Sequence, residues 1–460
     1  MKRILRIVLF SLLFIILAVM GYLAITFPPV MTGMAAKTMC SCVFVTGRTP
    51  ASVVQQELQV FPGLASLPLD INHTDSTVTA SLLGRTAKAI FRKGLGCTLL
   101  AERAEADVRR QPVRLPAPPP FDPDTVDWPT GNRIRRDTLP AHIDYAAVKQ
   151  AVDEAFVDID PAKPIFTHAV VVIHNNELIA EKYANGYDIN SRCMGWSMTK
   201  SITNALIGIL VKEGQIGTED PAPVAEWQHD DRKNITVNNL LQASSGLAWS
   251  ETYFNPTADF HSMFIKSDDK AAYAASRPLK HEPGTVFQYS SGTTNILSRI
   301  IREKTGDGYY AFPFEKLFYP LGMHTAIIEP DASGTFVASS YSYASARDWA
   351  RLGMLYLNDG VWNNKRILPA GWVKYSTTPN TTSPMQEYGA QIWLNRGAVN
   401  DSTNVKYKGL PNEAILFDGF EENTVLIIPS KKLVIVRLGV THNRNFSLPK
   451  LTAAVMKAVQ

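Results

Sequence analysis

The sequence predicts an α/β chain of the α+β type. One antiparallel sheet is built from strands at both ends of a large domain, with a helical insertion between them. A membrane-spanning helix and a small β-rich segment come first. Three observations predict this. Strand-like apolar runs occur in "THAVVVIHNNELIAEKYANG" and again in "AILFDGFEENTVLIIPSKKLVIVRLGV", far apart in the chain. Between them, roughly 215 to 380, the pattern is mostly helical and loop-like. Strands at both ends with helices between are what a two-layer packing of one sheet requires. Third, the run Ile7 to Phe27 carries no charge.

That run opens the chain. About 20 apolar residues span about 30 Å as a helix, the thickness of a bilayer core. A cleavable signal has a shorter apolar region, about 7–15 residues. Residues 1–28 are therefore expected to be an uncleaved signal anchor ended by Pro28 and Pro29; the alternative is a long signal peptide cut near Ala35. Lys2, Arg3 and Arg6 precede the span, so the N-terminus should stay in the cytoplasm and the remainder should cross. This puts the large domain on the periplasmic side of an inner, cytoplasmic membrane as a single-pass protein. Residues 29–110 follow as a small β-rich segment, with strand-like "SCVFVTG" and "STVTASLLG". Residues 111–140 include "QPVRLPAPPPFDPDTVDWPTG", too rich in proline for a helix, and read as an extended strap. Residues 141–460 form the large domain: a helix at "YAAVKQAVDEAF", a hairpin turning at Asn175–Asn176, two β-runs broken by Pro429 and Ser430, and a closing helix "LPKLTAAVMKAVQ".

Composition narrows function. The chain has 460 residues, 45% hydrophobic and 19% charged, with net charge +4. This is globular, and with no long basic run nucleic acid is not expected as a partner. Four cysteines in an exported chain permit disulfides. A bridge from Cys40 or Cys42 to Cys97 is expected, the alternative being free buried thiols. The C-x-C pair has no second pair beside it and no H-E-x-x-H occurs, so neither a metal nor another cofactor is expected.

The chemistry lies in "CMGWSMTKSITNALIGILVKEGQ". Ser197 and Lys200 stand at i and i+3, one helical turn apart on one face. Ile202, Leu206, Ile209 and Leu210 imply that this helix is deeply packed. A lysine aimed into such surroundings is desolvated, its pKa falls, and its neutral form can take the serine proton. Amides at the first turn of a helix lack partners and can hold an oxyanion. By spacing alone a capping serine and a solvated lysine would be the better reading, since S-x-x-K recurs at Ser267. "GTVFQYSSGTTNILSRIIREKTG" adds Tyr289, able to relay a proton, and Ser291, able to hold the network. A Ser-His-Asp hydrolase would want G-x-S-x-G, which Gly195-Trp-Ser197-Met-Thr199 lacks.

Ser197-Met-Thr-Lys200 followed by Tyr289-Ser-Ser291 resembles the serine β-lactamase and penicillin-binding-protein superfamily. Within it, the resemblance is to the class C-like branch with esterases, D-amino-acid peptidases and 6-aminohexanoate-dimer hydrolase. "ITVNNLLQASSGLAWSETY", "SARDWARLGMLYLNDGVW" and "YGAQIWL" agree, and the resemblance covers about residues 160 to 455. It implies that Ser197 is the acylated nucleophile, Lys200 its base and Tyr289 the group that assists the leaving group. The branch carries a Lys- or His-x-Gly third motif, whose counterpart is taken as Gly419 to Asn423, the alternative being "KYKG" at Lys406, just before the strand. There Phe420, Glu421 and Glu422 become substrate-pocket candidates, and the Asn423 backbone N–H the second oxyanion donor. Two glutamates would repel an anionic substrate. A small neutral or cationic amide or ester is therefore expected, without potent β-lactamase action. A catalytically inactive binding protein with the same fold is the alternative. The oligomeric state is left open.

Overall fold

The computed structural model describes residues 2–135, 140–442 and 445–459. Its first element corrects the sequence reading. Helix α1 runs Lys2–Phe44 and carries Pro28 and Pro29 inside it. The two prolines deprive the Ala24 and Ile25 carbonyls of their usual donors, yet the helix continues. The reason is tertiary: from Pro28 onward α1 is largely buried, and packing overrides a local breaker. The "SCVFVTG" run is for the same reason not a strand, since Ser41–Phe44 form the last turn of α1. Strands β1 (Leu69–Asn72), β2 (Thr77–Leu82), β3 (Arg85–Arg92) and β4 (Gly96–Leu100) make an antiparallel sheet in sequence order and pack against this second half of α1.

A disulfide joins Cys40 of α1 to Cys97 of β4. Cys42 sits about 200° further round the helix and is a free, buried thiol beside His168 and Cys193 in a small cavity. The buried Lys37 and Ser41 of α1 both bond Glu329, which also accepts the Cys97 amide. The second half of α1 is thus fastened into the body of the protein. The proline-rich strap is likewise tied down. Arg351 donates to the Pro129 and Gly131 carbonyls at 2.7 and 2.6 Å, and Arg347 to the Asn132 carbonyl at 2.7 Å.

The large sheet joins the two ends of the remaining chain, as expected. Helix α2 (Tyr145–Glu154) precedes β5 (Thr167–His174) and β6 (Glu177–Tyr183). The turn between them takes Asn175 and Asn176 at φ 50° and 68°, a conformation asparagine tolerates. After the short strand β7 (Cys193–Met194) come helices α3 (Thr199–Lys212) and α4 (Ser291–Thr305) and strands β8 (Ile327–Ile328) and β9 (Ser342–Ala344). Then follow helix α5 (Ala346–Leu357), strands β10 (Trp393–Leu394), β11 (Ile415–Asp418), β12 (Thr424–Ile428) and β13 (Leu433–Gly439), and helix α6 (Leu448–Ala458). The six-stranded order is β10-β11-β12-β13-β5-β6, and β7-β9-β8 form a small second sheet. Where the sequence suggested two C-terminal β-runs there are three strands, because Gly419–Asn423 turns the chain between β11 and β12.

Alternation decides the layers. Val170, Val172, Leu426, Ile428, Leu433 and Ile435 face α2 and α6, whose Val148, Val152, Leu451 and Val455 share their cluster. Val171, Ile173, Val425, Ile427, Val434 and Val436 face the core that holds α3 and α5. With both faces covered, β5 and β13 can be apolar throughout. The site lies on the second face, at the sheet edge carrying β11 and β10.

Candidate active site

Ser197 lies where β7 turns into α3. Gly195 donates to the Ser342 carbonyl at 2.8 Å, and a Cβ there would lie 2.3 Å from the Trp349 ring. Trp196 takes φ 47°, an unfavourable backbone for a bulky residue. This sharp turn leaves Ser197 half-exposed at the mouth of a buried helix. One turn on, Lys200 is only 2% exposed. Its Nζ donates to Ser197 Oγ at 3.2 Å, Ser291 Oγ at 3.2 Å and the Ser339 carbonyl at 2.9 Å. All three acceptors are uncharged, so nothing in direct contact offsets desolvation. Burial brings the Lys200 pKa down to about 8, against a smaller upward pull from Glu251.

Tyr289 stands before α4, whose N-terminus Ser290 caps by accepting from the Thr293 amide at 3.2 Å. The Lys200 ammonium is 4.9 Å from the Tyr289 ring centre, and Ser197 lies close enough to the Tyr289 phenol to act on its titration. Burial raises its phenol well above the ordinary value, so it is a neutral hydroxyl at every physiological pH. Trp393 stacks on it at 5.0 Å. Four of the sequence-predicted residues, Ser197, Lys200, Tyr289 and Ser291, therefore meet in one place.

The sequence reading missed Glu251. It accepts from Ser291 Oγ at 2.5 Å, the Ser291 amide at 3.0 Å and Trp249 Nε1 at 2.5 Å. The carboxylate fixes Ser291, which in turn faces Lys200. The signal was a lone acid in "GLAWSETY", beside the motif but at no recognisable spacing from it. Arg437 was missed as well. Fully buried, it donates to the Glu421 and Glu422 carbonyls at 3.0 and 3.3 Å and to the Ile165 carbonyl at 2.5 Å. Desolvation lowers its pKa to about 10. A charged residue inside the apolar run "LVIVRLGV" was its sequence signal.

The segment Gly419–Asn423 needs correction. Gly419 meets the serine turn directly: a Cβ on it would lie 2.5 Å from the Gly195 carbonyl oxygen. Phe420 places its ring against Trp196, 5.4 Å between centres, and against Tyr253 at 5.9 Å. Glu421 and Glu422 then take φ 62° and 59°. The Glu421 carboxylate is turned onto His442 Nδ1 at 3.0 Å, and Glu422 accepts the Phe446 amide at 2.9 Å. Both acids are engaged with the C-terminal segment, so the residue of this turn that touches the serine side of the cleft is aromatic rather than acidic. Asn423 is bound into the turn too. Its amide faces the Phe420 carbonyl at 3.5 Å, and its side chain bridges that carbonyl to the Gly439 amide. The amide adjoining the Gly419–Gly195 contact is that of Phe420. Among the described residues, no group of three His, Cys, Asp or Glu side chains is placed to hold a metal.

Residues 153–460 match the family model described as Beta-lactamase. A 6-aminohexanoate-dimer hydrolase of Paenarthrobacter ureafaciens is 25% identical over 292 residues, covering 57% of this chain and 72% of that protein. A D-aminopeptidase of Brucella anthropi is 28% identical over 139 residues, covering 30% and 26%. Among solved structures, a family VIII carboxylesterase aligns with a TM-score of 0.52 at 15% identity, covering 71% of this chain and 98% of that one. A D-stereospecific amidohydrolase from a Streptomyces species aligns at 0.50 and 18% identity, covering 68% and 98%. Those two establish a shared fold.

Proposed function

This chain belongs to the beta-lactamase family and is a serine hydrolase of that fold; from that premise we propose that it cleaves an amide or ester through an acyl-enzyme on Ser197 while anchored to a membrane by α1. One observation carries the reading. An accessible serine hydroxyl lies 3.2 Å from a buried lysine whose pKa is brought to about 8. The neutral Lys200 takes the Ser197 proton as Oγ bonds to the substrate carbonyl carbon. The Ser197 amide and the Phe420 amide, adjoining across the Gly195–Gly419 contact, receive the oxyanion. The tetrahedral species then collapses, the C–O or C–N bond breaks, and the leaving group takes its proton through the neutral Tyr289 hydroxyl. Water attacks the acyl carbon in the second half, releasing the acid and restoring Ser197. Ser291 and Glu251 hold Lys200 in register throughout.

The relatives named for acting on a 6-aminohexanoate dimer and on D-amino peptides make an amide as reasonable as an ester. The anchor reading is supported by the uncharged helical run after Lys2, Arg3 and Arg6, and the charges before that run favour a catalytic domain outside the cytoplasm, facing the periplasm. Potent β-lactamase action is not expected, since no cation stands in the Gly419–Asn423 turn. The test is intact mass after treatment with a fluorophosphonate. A single adduct on the wild type, absent in Ser197→Ala, is expected. A folded wild type that stays unmodified by it and by p-nitrophenyl esters overturns the proposal.

A further inference from the structure

The cleft has an aromatic side formed by Trp196, Phe420 and Tyr253, opposite the side where Lys406 lies over Trp393, and loops next to that aromatic side lie near the point where α1 leaves its uncharged span. The span Ile7–Phe27 is exposed along most of its length, and burial begins at Pro28. Two residues just beyond it fix the height. Gly33 seats α1 on the segment after the cleft loop, where a Cβ would lie 2.4 Å from Ile265 Cγ2. The Met31 methyl lies 4.0 Å from the Cβ position of Gly63. Met31 and Gly33 are about 6–9 Å along the helix from Phe27 at 1.5 Å per residue. The polar region of a bilayer is about 5–7 Å deep on each side. Gly63 belongs to Val60–Leu69 ("VFPGLASLPL"), ten residues without a charge. Its Phe61 meets Phe254 at 5.3 Å between ring centres. Phe254 is 73% exposed and lies in Thr252–Ala258 ("TYFNPTA"), also uncharged. Its neighbour Tyr253 touches Phe420, Phe420 touches Trp196, and Trp196 precedes the nucleophile. The Val60–Leu69 loop thus stands beside the exit of the anchor at headgroup depth, where aromatic side chains are favoured, and the Thr252–Ala258 loop joins it through the Phe61–Phe254 contact. A line of rings runs from them to Ser197.

We propose that the cleft opens onto the bilayer surface, with Phe61 and Phe254 seated among the headgroups, and that the substrate is a membrane-resident amphiphile: an ester or amide of a long hydrocarbon chain. This rests on the reading of Ser197 as nucleophile and of α1 as anchor. Lys37, the first charge after the span, is buried against Glu329, so α1 holds the body at a fixed height rather than on a tether. The hydrolysis balances as above, with water as co-substrate and two products, a carboxylic acid and an alcohol or amine, one of which carries the long chain.

The full chain is to be reconstituted in vesicles of phosphatidylethanolamine and phosphatidylglycerol. A Phe254→Cys variant is labelled with an environment-sensitive fluorophore, and Val399→Cys, 66% exposed in the wild type, serves as reference. The native free thiols Cys42 and Cys193 are buried, so the introduced cysteine takes the label. Doxyl-lipid quenching several-fold stronger at 254 than at 399 is expected. So is a kcat/KM at least tenfold higher for p-nitrophenyl laurate in the vesicles than for p-nitrophenyl acetate. Phe254→Asp should lower the laurate rate about tenfold more than the acetate rate. Equal quenching, or laurate no better than acetate, overturns this inference alone provided fluorophosphonate still labels Ser197. Failure of that labelling overturns the nucleophile reading and this proposal with it, and failure to float with the vesicles does the same for the anchor.

Discussion

The two sides of the cleft are both tight turns with left-handed residues, yet they are stabilised in opposite ways. The serine side has one such residue, Trp196, and hands the chain to a helix that carries its own chemistry. Ser197, in the turn that leads into α3, and Lys200, in the first turn of α3, are brought together by their spacing of three residues. The facing turn has two, Glu421 and Glu422, and beyond the Gly419–Asn423 and Asn423–Phe420 bonds that close it it depends on distant partners. Arg437 holds their carbonyls from β13, His442 and Phe446 hold their side chains, and Gly195 receives Gly419. One side is specified by spacing, the other by partners from distant parts of the chain. Damage to the first should abolish chemistry and leave the fold. Damage to the second should loosen the fold first and lose chemistry through misplacement.

The largest expected effect is on the helix side. Lys200→Met should lower kcat/KM by about 10³-fold or more, the span of a general base, while the circular dichroism and melting temperature stay near wild type. A melting temperature that falls as far as activity would erase the contrast between the two turns. Arg437→Met should do the reverse, costing about 3 kcal/mol because buried carbonyls lose a charged donor, as read by urea unfolding. Gly419→Ala comes next. With a Cβ 2.5 Å from a backbone oxygen, Gly195 and Gly419 must part, and kcat should fall about 10²-fold, as when an oxyanion donor is lost. KM should move less.

Glu251→Gln sharpens the comparison through pH. In the proposed mechanism Lys200 acts in its neutral form, so kcat/KM should climb with pH and level off above about 8. The Glu251 charge raises that pKa; removing it lowers the pKa further and should move the acid limb of the profile to lower pH. A limb that stays in place or moves up would mean that Glu251 acts only by holding Ser291. The smallest effect belongs to His442. The pKa of this imidazole is raised: desolvation opposes the shift, but hydrogen bonding and charge from Glu421 outweigh it. A raised folded-state pKa gives stability that is fully present below the unfolded value near 6.5 and is lost as pH rises through the folded one. His442→Gln should therefore cost under about 1 kcal/mol at pH 5.5 and almost nothing at pH 8.5. A loss of stability that is the same at both pH values would assign His442 to packing alone.

The sequence by itself determined Ser197 and Lys200 one turn apart on one face, Tyr289 and Ser291 at the head of another helix, the hairpin at Asn175–Asn176 and the apolar N-terminal span. Each is a relation among neighbours, written in periodicities of 3.6 and 2 or in one charge-free run. Tertiary structure alone decided that α1 continues through Pro28 and Pro29, because buried packing from Pro28 to Phe44 outweighs two missing amide donors. It chose Cys40 over Cys42 for Cys97, because two residues on a helix point to different sides. It turned Glu421 and Glu422 away from the cleft and left Phe420 facing Trp196, because the favourable partners for both acids lie in the C-terminal segment. It also brought Glu251 and Arg437 to the site. Each acts on an element far off in the chain, and no local pattern records such a pairing.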